Sequence, residues 1–272
     1  MSKVLRDWTT FGIGGEAKEL IVADSRPKLV ELAPEGLVIG GGSNLLVSDD
    51  GYDGKVIVNR YADFERSGNL VRVGSGMKLP KLCSLLRELG LGGMEWAVGI
   101  PGTVGGAVKM NAGAFGHSIS ENIASVEILR GGKLVELKRD EIGFAYRQSG
   151  ISDGDTVVSA TFMSIPRDKA DVERDMAVFA RMRALRQPRG KSAGSIFKNP
   201  DRGPIAFFIE GAGLKGLRVG GAMISREHAN IIVNTGGAAA RDVKAIIDIV
   251  KAEMRKIHIE AQEEIIYVGD FG

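Results

Sequence analysis

A glycine-rich stretch over residues 99–116 constrains the fold more than any other feature of this chain. It reads Gly-Ile-Pro-Gly-Thr-Val-Gly-Gly-Ala-Val-Lys-Met-Asn-Ala-Gly-Ala-Phe-Gly, with six glycines and one proline in eighteen residues. Each interior glycine costs a helix roughly 1 kcal/mol relative to alanine, so we predict a loop here rather than a helix. Because glycine has no Cβ, such a loop lets backbone N–H groups approach a phosphate or a flat ring closely.

A second glycine-rich loop, Val38-Ile-Gly-Gly-Gly-Ser-Asn-Leu-Leu46, includes an apolar run at its start. Neither loop matches the dinucleotide-binding fingerprint, and the sequence contains no Walker A phosphate loop. Ordinary turns would explain either loop alone. Together, and with the hydrogen-bonding side chains of Ser43 and Asn44, they predict a large, phosphate-bearing cofactor held from two sides.

The composition is that of a globular chain apart from its glycine content. The 272 residues suit two or three small domains, and 44% of them are hydrophobic. The 38 glycines are about twice the usual share, and they cluster without a repeat. The 36 basic and 34 acidic residues are interspersed, giving a net charge of +2. We therefore expect neither a nucleic-acid partner nor a membrane partner.

The single cysteine, Cys83, excludes an intrachain disulfide and favours a reducing compartment. We interpret it as a small buried hydrophobe on a helix. The N-terminus carries no apolar segment of signal-peptide length, and no window is apolar enough for a membrane span. We expect a cytoplasmic protein. The histidines and the cysteine lack metal-ligand spacing, so we expect no metal site.

The hydrophobic patterns predict an α+β fold of three units, at residues 1–60, 61–170 and 171–272. Strands are predicted at 20–22, 38–39, 55–58, 70–73, 156–165, 231–233 and 264–268. A hairpin with a primed turn is predicted around Gly131-Gly132. Helices are predicted at 28–32, 78–89, 168–186 and 241–257. The third has its apolar residues at Val172, Met176, Phe179 and Leu185.

The sequence alone allows two interpretations of several polar residues. Ser195 lies near Lys198, so it could donate a proton, or it could be an ordinary turn serine; no nucleophile elbow or triad pattern surrounds it. Arg147 could hold a carboxylate through two hydrogen bonds, or it could form a surface ion pair. Glu263 and Glu264 precede an apolar run, where alternation would point only one of them inward.

Eight segments, in order, resemble the UDP-N-acetylenolpyruvoylglucosamine reductase family, and the match runs nearly end to end. They are residues 9–15, 40–46, 99–106 with 111–113, 144–149, 194–200, 212–216, 228–230, and Glu264 before Ile265. The resemblance implies two N-terminal FAD-binding domains of the vanillyl-alcohol-oxidase type and a C-terminal substrate-binding domain. It also implies non-covalent FAD, NADPH as hydride donor, and a UDP-sugar substrate whose enolpyruvyl group is reduced to give UDP-N-acetylmuramate for peptidoglycan.

The resemblance also implies roles for individual residues. Ser195 would be the proton donor, and Arg147 and Glu264 would stabilise the developing enol and its carboxylate. Tyr146, Lys198 and Asn199 would contact the UDP-sugar. The residues implied for FAD are Gly40, Gly41, Gly42, Ser43, Asn44, Leu45, Gly99, Ile100, Pro101, Gly102, Gly105, Gly106, Asn111, Ala112 and Gly113.

The sequence departs from the family pattern in two respects. It has no long tyrosine-bearing insertion between Tyr146 and Ser195, which is typical of the shorter subtype. It also has His258 where the family usually has glycine, so the choice of Glu264 over Glu263 depends on the register from Ile265 onward. Two other functions stay open: another FAD-dependent oxidoreductase, such as an oxidase with flavin attached through His117, and an inactive nucleotide-binding module. We expect a monomer or weak oligomer.

Overall fold

The structure is a computed structural model, and it describes residues 2–272. In chain order its strands are β1 (Ala17–Ala23), β2 (Leu37–Ile39), β3 (Leu45–Val47), β4 (Tyr52–Asn59), β5 (Phe64–Ser67), β6 (Leu70–Gly74), β7 (Leu91–Gly92), β8 (Gly113–Ala114), β9 (His117–Ser118), β10 (Ile123–Arg130), β11 (Lys133–Lys138), β12 (Thr156–Met163), β13 (Ile165–Pro166), β14 (Lys191–Ser195), β15 (Arg218–Val219), β16 (Ala222–Ile224), β17 (Ile231–Asn234) and β18 (Ile266–Val268).

The α-helices are α1 (Arg26–Leu32), α2 (Leu79–Glu88), α3 (Val104–Lys109), α4 (Lys169–Arg186), α5 (Ile205–Gly211) and α6 (Ala240–Lys256). Short 3-10 helices lie at Leu5–Trp8, Ala33–Glu35, Glu95–Ala97, Ile119–Glu121 and Arg139–Glu141. Within residues 2–272, no helix combines the length and the apolar composition needed to cross a membrane.

The chain folds into two compact units, each assembled from separate stretches of sequence. The central unit contains residues 20–41 and 55–183, and the terminal unit contains residues 2–19, 42–54 and 184–272. This division differs from the three consecutive units expected at 1–60, 61–170 and 171–272. The physical reason lies in β18, which pairs in parallel with β3 and so joins residues 266–268 to residues 45–47.

The central unit is built on an antiparallel sheet with the strand order β11-β10-β12-β6-β5. Its β10–β11 hairpin turns at Gly131 and Gly132, whose φ angles are +55° and +76°. Two positive φ angles are the mark of a type I′ turn, so the predicted hairpin is confirmed. Helix α2 is also confirmed, and it buries Leu82 and Leu86 in the core beneath this sheet.

The Cys83 thiol, on the same face of α2, is a structural group. It lies 3.3 Å from the carbonyl oxygen of Met94. Burial raises the pKa of the thiol to about 12. The thiol is therefore protonated and inert at neutral pH, which confirms the interpretation of Cys83 as a buried hydrophobe.

Helix α3 shows that the predicted absence of helix from residues 99–116 is wrong. Its six residues, which include Gly105 and Gly106, form a short helix inside the glycine-rich stretch. The amide of Val104 donates to the carbonyl of Met77 at 2.9 Å, and that of Gly105 donates to the carbonyl of Ser75 at 2.8 Å. These tertiary hydrogen bonds satisfy the first turn and outweigh the low helix propensity of glycine.

Helix α4 begins as predicted, but its apolar side is shorter than expected. Val172 is buried, and Met176 and Phe179 pack partly against the core of the central unit. Leu185, predicted on the same face, is 77% exposed.

The terminal unit contains an antiparallel sheet with the strand order β14-β17-β16-β15. Helix α6 buries its predicted face, led by Val243, Ile247 and Val250, in a core shared with Phe11 and Leu46. The core therefore draws on residues from both ends of the chain.

Candidate active site

Residues 40–41 of the first glycine loop lie against residues 102–103 of the second within the central unit. A Cβ on Gly41 would come within 3.0 Å of the Cα of Gly102, and a Cβ on Gly40 would overlap the hydroxyl of Thr103. Gly102 has a φ of +126°, a conformation that residues with side chains rarely adopt. The two loops are thus neighbours, as expected for surfaces that share one ligand.

Some backbone amides of the 102–106 segment are already used by the protein. The hydrogen bonds that Val104 and Gly105 donate to Met77 and Ser75 leave these two amides unavailable to a pyrophosphate. Of the residues implied for FAD, Gly105 therefore does not offer its amide to a ligand in this structure. Gly105 has a packing role instead, because a Cβ there would lie 3.0 Å from the Cβ of Ser75.

The remaining cofactor candidates of the central unit have varied surroundings. Gly99 has a φ of +74°, and Ile100 packs partly against the core. Pro101 is exposed. Gly106 lies in the first turn of α3, and the carbonyl of Ala112 accepts a hydrogen bond from the amide of Ile119.

Asn111 joins two of the predicted motifs. Its Nδ2 donates to the carbonyl of Ala145 at 2.8 Å. In parallel, the hydroxyl of Ser149 donates to the carbonyl of Lys109 at 2.8 Å. These bonds fix the turn at 145–148, which carries Arg147, onto the segment that follows α3. Asn111, predicted as a cofactor residue, therefore acts at least as a support for Arg147.

Arg147 has an unusual backbone conformation. Its φ is +56°, although it has a side chain. Its guanidinium carbon lies 5.4 Å from the ring centre of Tyr146, and its Nη1 would lie 3.3 Å from a Cβ on Gly113. Strained backbone of this kind occurs preferentially at functional sites. Tyr146 is 53% exposed and is thus accessible to a ligand.

The loop of residues 42–45 belongs to the terminal unit, and there it supports the C-terminal strand. Nδ2 of Asn44 donates to the carbonyl of Glu264 at 2.9 Å. The carbonyl of Asn44 accepts the amide of Ile266 at 2.9 Å, and Leu45 begins β3. Ser43 is half-buried. The prediction of Asn44 from its hydrogen-bonding capacity overlooked this support of Glu264.

A threonine of the 9–15 motif links this loop to the strand that ends at Ser195. The amide of Thr10 donates to the carbonyl of Gly42 at 3.1 Å. Its hydroxyl donates to the carbonyl of Ser192 at 2.7 Å. The sequence analysis identified the 9–15 motif but gave it no role. The partner of the Thr10 hydroxyl is 182 residues away in sequence, so no local pattern could predict it.

Asn230 fixes the backbone immediately after Ser195. Its Nδ2 donates to the carbonyl of Phe197 at 2.7 Å, and its Oδ1 accepts the amide of the same residue at 3.0 Å. The carbonyl of Asn230 also accepts the amide of Ile196 at 2.9 Å. Ser195 itself is half-buried at the end of β14, opposite Ile231 of β17. The serine is thus held on a strand rather than in a mobile turn.

Glu264 lies on a backbone segment that pairs with the one following Ser195. Its amide donates to the carbonyl of Ile196 at 2.8 Å, and the amide of Lys198 donates to the carbonyl of Gln262 at 2.8 Å. The terminal unit therefore brings Ser195 and Glu264, which are far apart in sequence, onto neighbouring stretches of backbone.

The neighbouring acid, Glu263, is engaged elsewhere. Its Oε1 lies 2.8 Å from Nζ of Lys251 in α6. The sequence did not decide which of Glu263 and Glu264 points inward. The ion pair with Lys251 gives Glu263 a structural contact of its own.

The two predicted substrate residues near Ser195 differ in their surroundings. Lys198 is half-buried, and its backbone belongs to the paired segment. Oδ1 of Asn199 accepts the amide of Ile205 at 3.1 Å, at the first residue of α5. Asn199 is exposed, so a substrate contact through its amide nitrogen is compatible with this bond.

Two protein families match separate stretches of the chain. Residues 31–138 match the FAD binding domain family, which includes both glycine loops. Residues 186–268 match the family described as UDP-N-acetylenolpyruvoylglucosamine reductase, C-terminal domain, which includes Ser195 and Glu264. The α+β fold and the site thus define an FAD-dependent oxidoreductase.

Individual relatives narrow this class. The chain is 40% identical to UDP-N-acetylenolpyruvoylglucosamine reductase 2 of Symbiobacterium thermophilum, over 96% of this chain and 90% of the relative. It is also 40% identical to UDP-N-acetylenolpyruvoylglucosamine reductase of Thermotoga petrophila, over 96% of both chains. The crystal structure of the reductase from Thermus caldophilus matches with a TM-score of 0.88 and 39% identity, over 97% of both chains. The chain belongs to the UDP-N-acetylenolpyruvoylglucosamine reductase family, whose members are flavoenzymes of peptidoglycan synthesis.

Proposed function

We propose that this enzyme uses NADPH to reduce the enolpyruvyl group of UDP-N-acetylglucosamine enolpyruvate, giving UDP-N-acetylmuramate. The main supporting observation is the pairing of residues 196–198 with residues 262–264. This pairing gives Ser195 and Glu264 a common, rigid framework. A proton donor and a charged residue on such a framework suit a reaction in which charge develops on one carbon of the substrate.

The glycine loops of the central unit are suited to FAD. Gly40, Gly41 and Gly102 form a surface without side chains, and this allows close approach of a flat ring or a phosphate. When bound there, FAD would supply the chemistry of hydride transfer from NADPH to the β-carbon of the enolpyruvyl group. The protein residues then have to deal with the charge and the proton at the adjacent α-carbon.

Arg147 and Ser195 have complementary tasks in this proposal. Hydride addition at the β-carbon gives the α-carbon carbanion character, with charge shared by the attached carboxylate. The positive charge of the Arg147 guanidinium stabilises this negative charge. The hydroxyl of Ser195 transfers its proton to the α-carbon, completing the new C–H bond, and the serine then recovers a proton from solvent.

Lys198 and Glu264 assist these two steps. A serine hydroxyl is a weak acid, so loss of its proton requires stabilisation of the alkoxide. The ammonium of Lys198, three residues along the chain, provides positive charge for this purpose. Glu264 orients the reacting group through hydrogen bonding, and Tyr146, Lys198 and Asn199 contact the UDP-sugar.

The test is an anaerobic assay of NADPH absorbance with the purified flavoprotein. We expect NADPH oxidation to proceed to completion only when UDP-N-acetylglucosamine enolpyruvate is added, with a product two hydrogens heavier than the substrate by mass spectrometry. Oxidation that requires oxygen rather than the enolpyruvyl sugar would instead identify an oxidase. A colourless protein that binds no flavin would identify the inactive module.

We also propose that FAD binds without a covalent link. His117, the candidate for attachment, places Nδ1 2.9 Å from a carboxylate oxygen of Glu121, and its ring stacks on Trp96. Acid precipitation is expected to release all the flavin into the supernatant. Flavin retained in the pellet, and lost from it on His117→Ala substitution, would show attachment through this residue.

We propose a cytoplasmic location, which is compatible with the single, buried Cys83 thiol. The proposed small-molecule partners are NADPH and the UDP-sugar. A monomer or weak oligomer is proposed as the working state.

A further inference from the structure

Arg183 of α4 packs directly on the glycine loop of the central unit. Its Cδ would lie 3.1 Å from a Cβ on Gly99, and its Nε would lie 3.7 Å away. Gly99 has a φ of +74°, a conformation that favours glycine. The guanidinium carbon of Arg183 also lies 5.8 Å from the ring centre of Phe115.

The charge of Arg183 is not compensated by the protein. Among residues 2–272, no carboxylate forms an ion pair with Arg183, and its Nε is buried without a hydrogen-bond partner. Burial lowers the pKa of its guanidinium, although an arginine stays protonated at neutral pH. By contrast, Arg174 of the same helix pairs with Asp171 at 2.8 Å. A desolvated cation with no counter-ion is unfavourable, so the site is suited to an incoming anion.

We propose that Arg183 is a cofactor-binding residue that holds a phosphate group of FAD beside Gly99. Gly99 lies within residues 31–138, which match the FAD binding domain family, whereas Arg183 lies outside both matched ranges. A guanidinium binds phosphate oxygens through paired N–H donors. The aliphatic part of Arg183 contacts Gly99, and its head lies over Phe115. A phosphate on this side of the glycine loop therefore meets the unpartnered Nε–H of Arg183.

The test compares the binding of two flavins to the full-length apoprotein, measured by quenching of flavin fluorescence. FAD carries phosphate, whereas riboflavin carries the same ring system without it. Arg183→Gln is expected to raise the Kd for FAD at least about tenfold, since it removes charge-assisted hydrogen bonds to phosphate, and to leave the Kd for riboflavin unchanged. Arg183→Lys is expected to recover part of the loss, because it keeps the charge without the paired donors.

Arg186→Gln provides the matched control, because it removes the same charge from the exposed end of the same helix. This variant is expected to bind both flavins like the parent protein, with an unchanged melting temperature. Equal weakening of FAD and riboflavin by Arg183→Gln would overturn the proposal and indicate that Arg183 only supports the packing of Phe115. An unchanged Kd for FAD with a raised KM for NADPH or the UDP-sugar would also overturn it, because the phosphate would then belong to a substrate.

Discussion

The carboxylate of Glu263 lies 2.8 Å from the ammonium nitrogen of Lys251. The same acid acts on a second group: burial, together with the charge of Glu263, raises the pKa of the Tyr267 hydroxyl. Neighbouring residues of an extended segment point to opposite sides. Glu263 thus has structural contacts within the terminal unit, and Glu264 is the acid that we propose for the reaction.

Exchange of each acid for its amide should separate these two roles. Glu264→Gln is expected to lower kcat by about 10²–10³-fold, the usual loss when a stabilising polar contact of a transition state is removed. Its melting temperature should change little. Glu263→Gln is expected to lower the melting temperature, because Lys251 loses its partner, and to keep most of the activity. Steady-state kinetics and thermal unfolding measure both, and the reverse pattern would assign the reaction to Glu263.

Ser195→Ala should affect only one half of the catalytic cycle. Reduction of the flavin by NADPH requires no proton donor, so its rate should stay near that of the parent enzyme. Reoxidation by the enolpyruvyl sugar should slow by about 10²–10⁴-fold, as is typical when acid–base catalysis is lost. Stopped-flow absorbance of the flavin band separates the two halves.

Ser195→Cys is the control for this experiment, since a thiol can still donate a proton. It should reoxidise faster than the alanine variant. Equal slowing of both halves in Ser195→Ala would indicate damaged flavin binding, and an unaffected second half would show that Ser195 is an ordinary structural serine.

Replacement of His258 by glycine should stabilise the protein. His258 has a φ of +57°, and its amide donates to the carbonyl of Arg255 just beyond the end of α6. A left-handed conformation costs a residue with a side chain roughly 1–2 kcal/mol, part of which is offset by the greater freedom of glycine in the unfolded chain. His258→Gly is expected to gain about 1 kcal/mol in the free energy of unfolding.

Denaturant unfolding measures this gain, and His258→Ala is the matched control. Alanine removes the imidazole but keeps the left-handed strain, so it should give no comparable gain. Equal stabilisation by alanine and glycine would show that the imidazole, rather than the backbone, is unfavourable.

Asp155 should make the stability of the central unit sensitive to acid. Arg130 binds both of its carboxylate oxygens, with N–O distances of 2.8 and 3.1 Å. The hydrogen bonds from Arg130 hold the pKa of Asp155 below its ordinary value, despite partial burial. Because the unfolded state binds the proton more tightly, this stabilisation is complete above the unfolded pKa of about 3.9 and is lost as the pH falls through the folded pKa.

Asp155→Asn is expected to lower the free energy of unfolding by about 1–2 kcal/mol at neutral pH. In this variant the free energy of unfolding should also decrease less on acidification below about pH 4 than in the parent protein. Asp153→Asn is the control, since that carboxylate is fully exposed and should leave the acid profile unchanged. Urea unfolding over a range of pH values tests both variants, and parallel acid profiles for Asp155→Asn and the parent protein would contradict the assignment.

Local sequence patterns predicted the elements whose structure depends on their own residues. The hairpin follows from two adjacent glycines that accept positive φ, and α6 follows from apolar residues at helical spacing. Helix α3 could not be predicted in this way, because its first turn depends on the carbonyls of Ser75 and Met77. One of the glycines that argued against a helix, Gly105, packs closely against Ser75 there.

The order of motifs predicted the candidate site residues, but it did not predict the residues that hold those candidates in place. Thr10, Asn44 and Asn230 all bind backbone groups of residues that are distant in sequence. Hydrogen-bonding side chains in a loop do not reveal such partners. Arg183 was overlooked for a related reason. In the sequence it is one of several arginines in a charged helix, and only the structure shows that its side chain packs against Gly99.

The pairing of β3 with β18 affects the order in which the enzyme can assemble during its synthesis. The central unit uses no residue beyond 183, so it can fold while the rest of the chain is still being made. The parallel contacts between residues 45–47 and 266–268 must wait until β18 has been made, and closing so long a loop slows folding. A ribosome-bound chain can thus fold its central unit before Glu264, the acid proposed for the reaction, has been made. A chain interrupted after α6 is expected to lack activity.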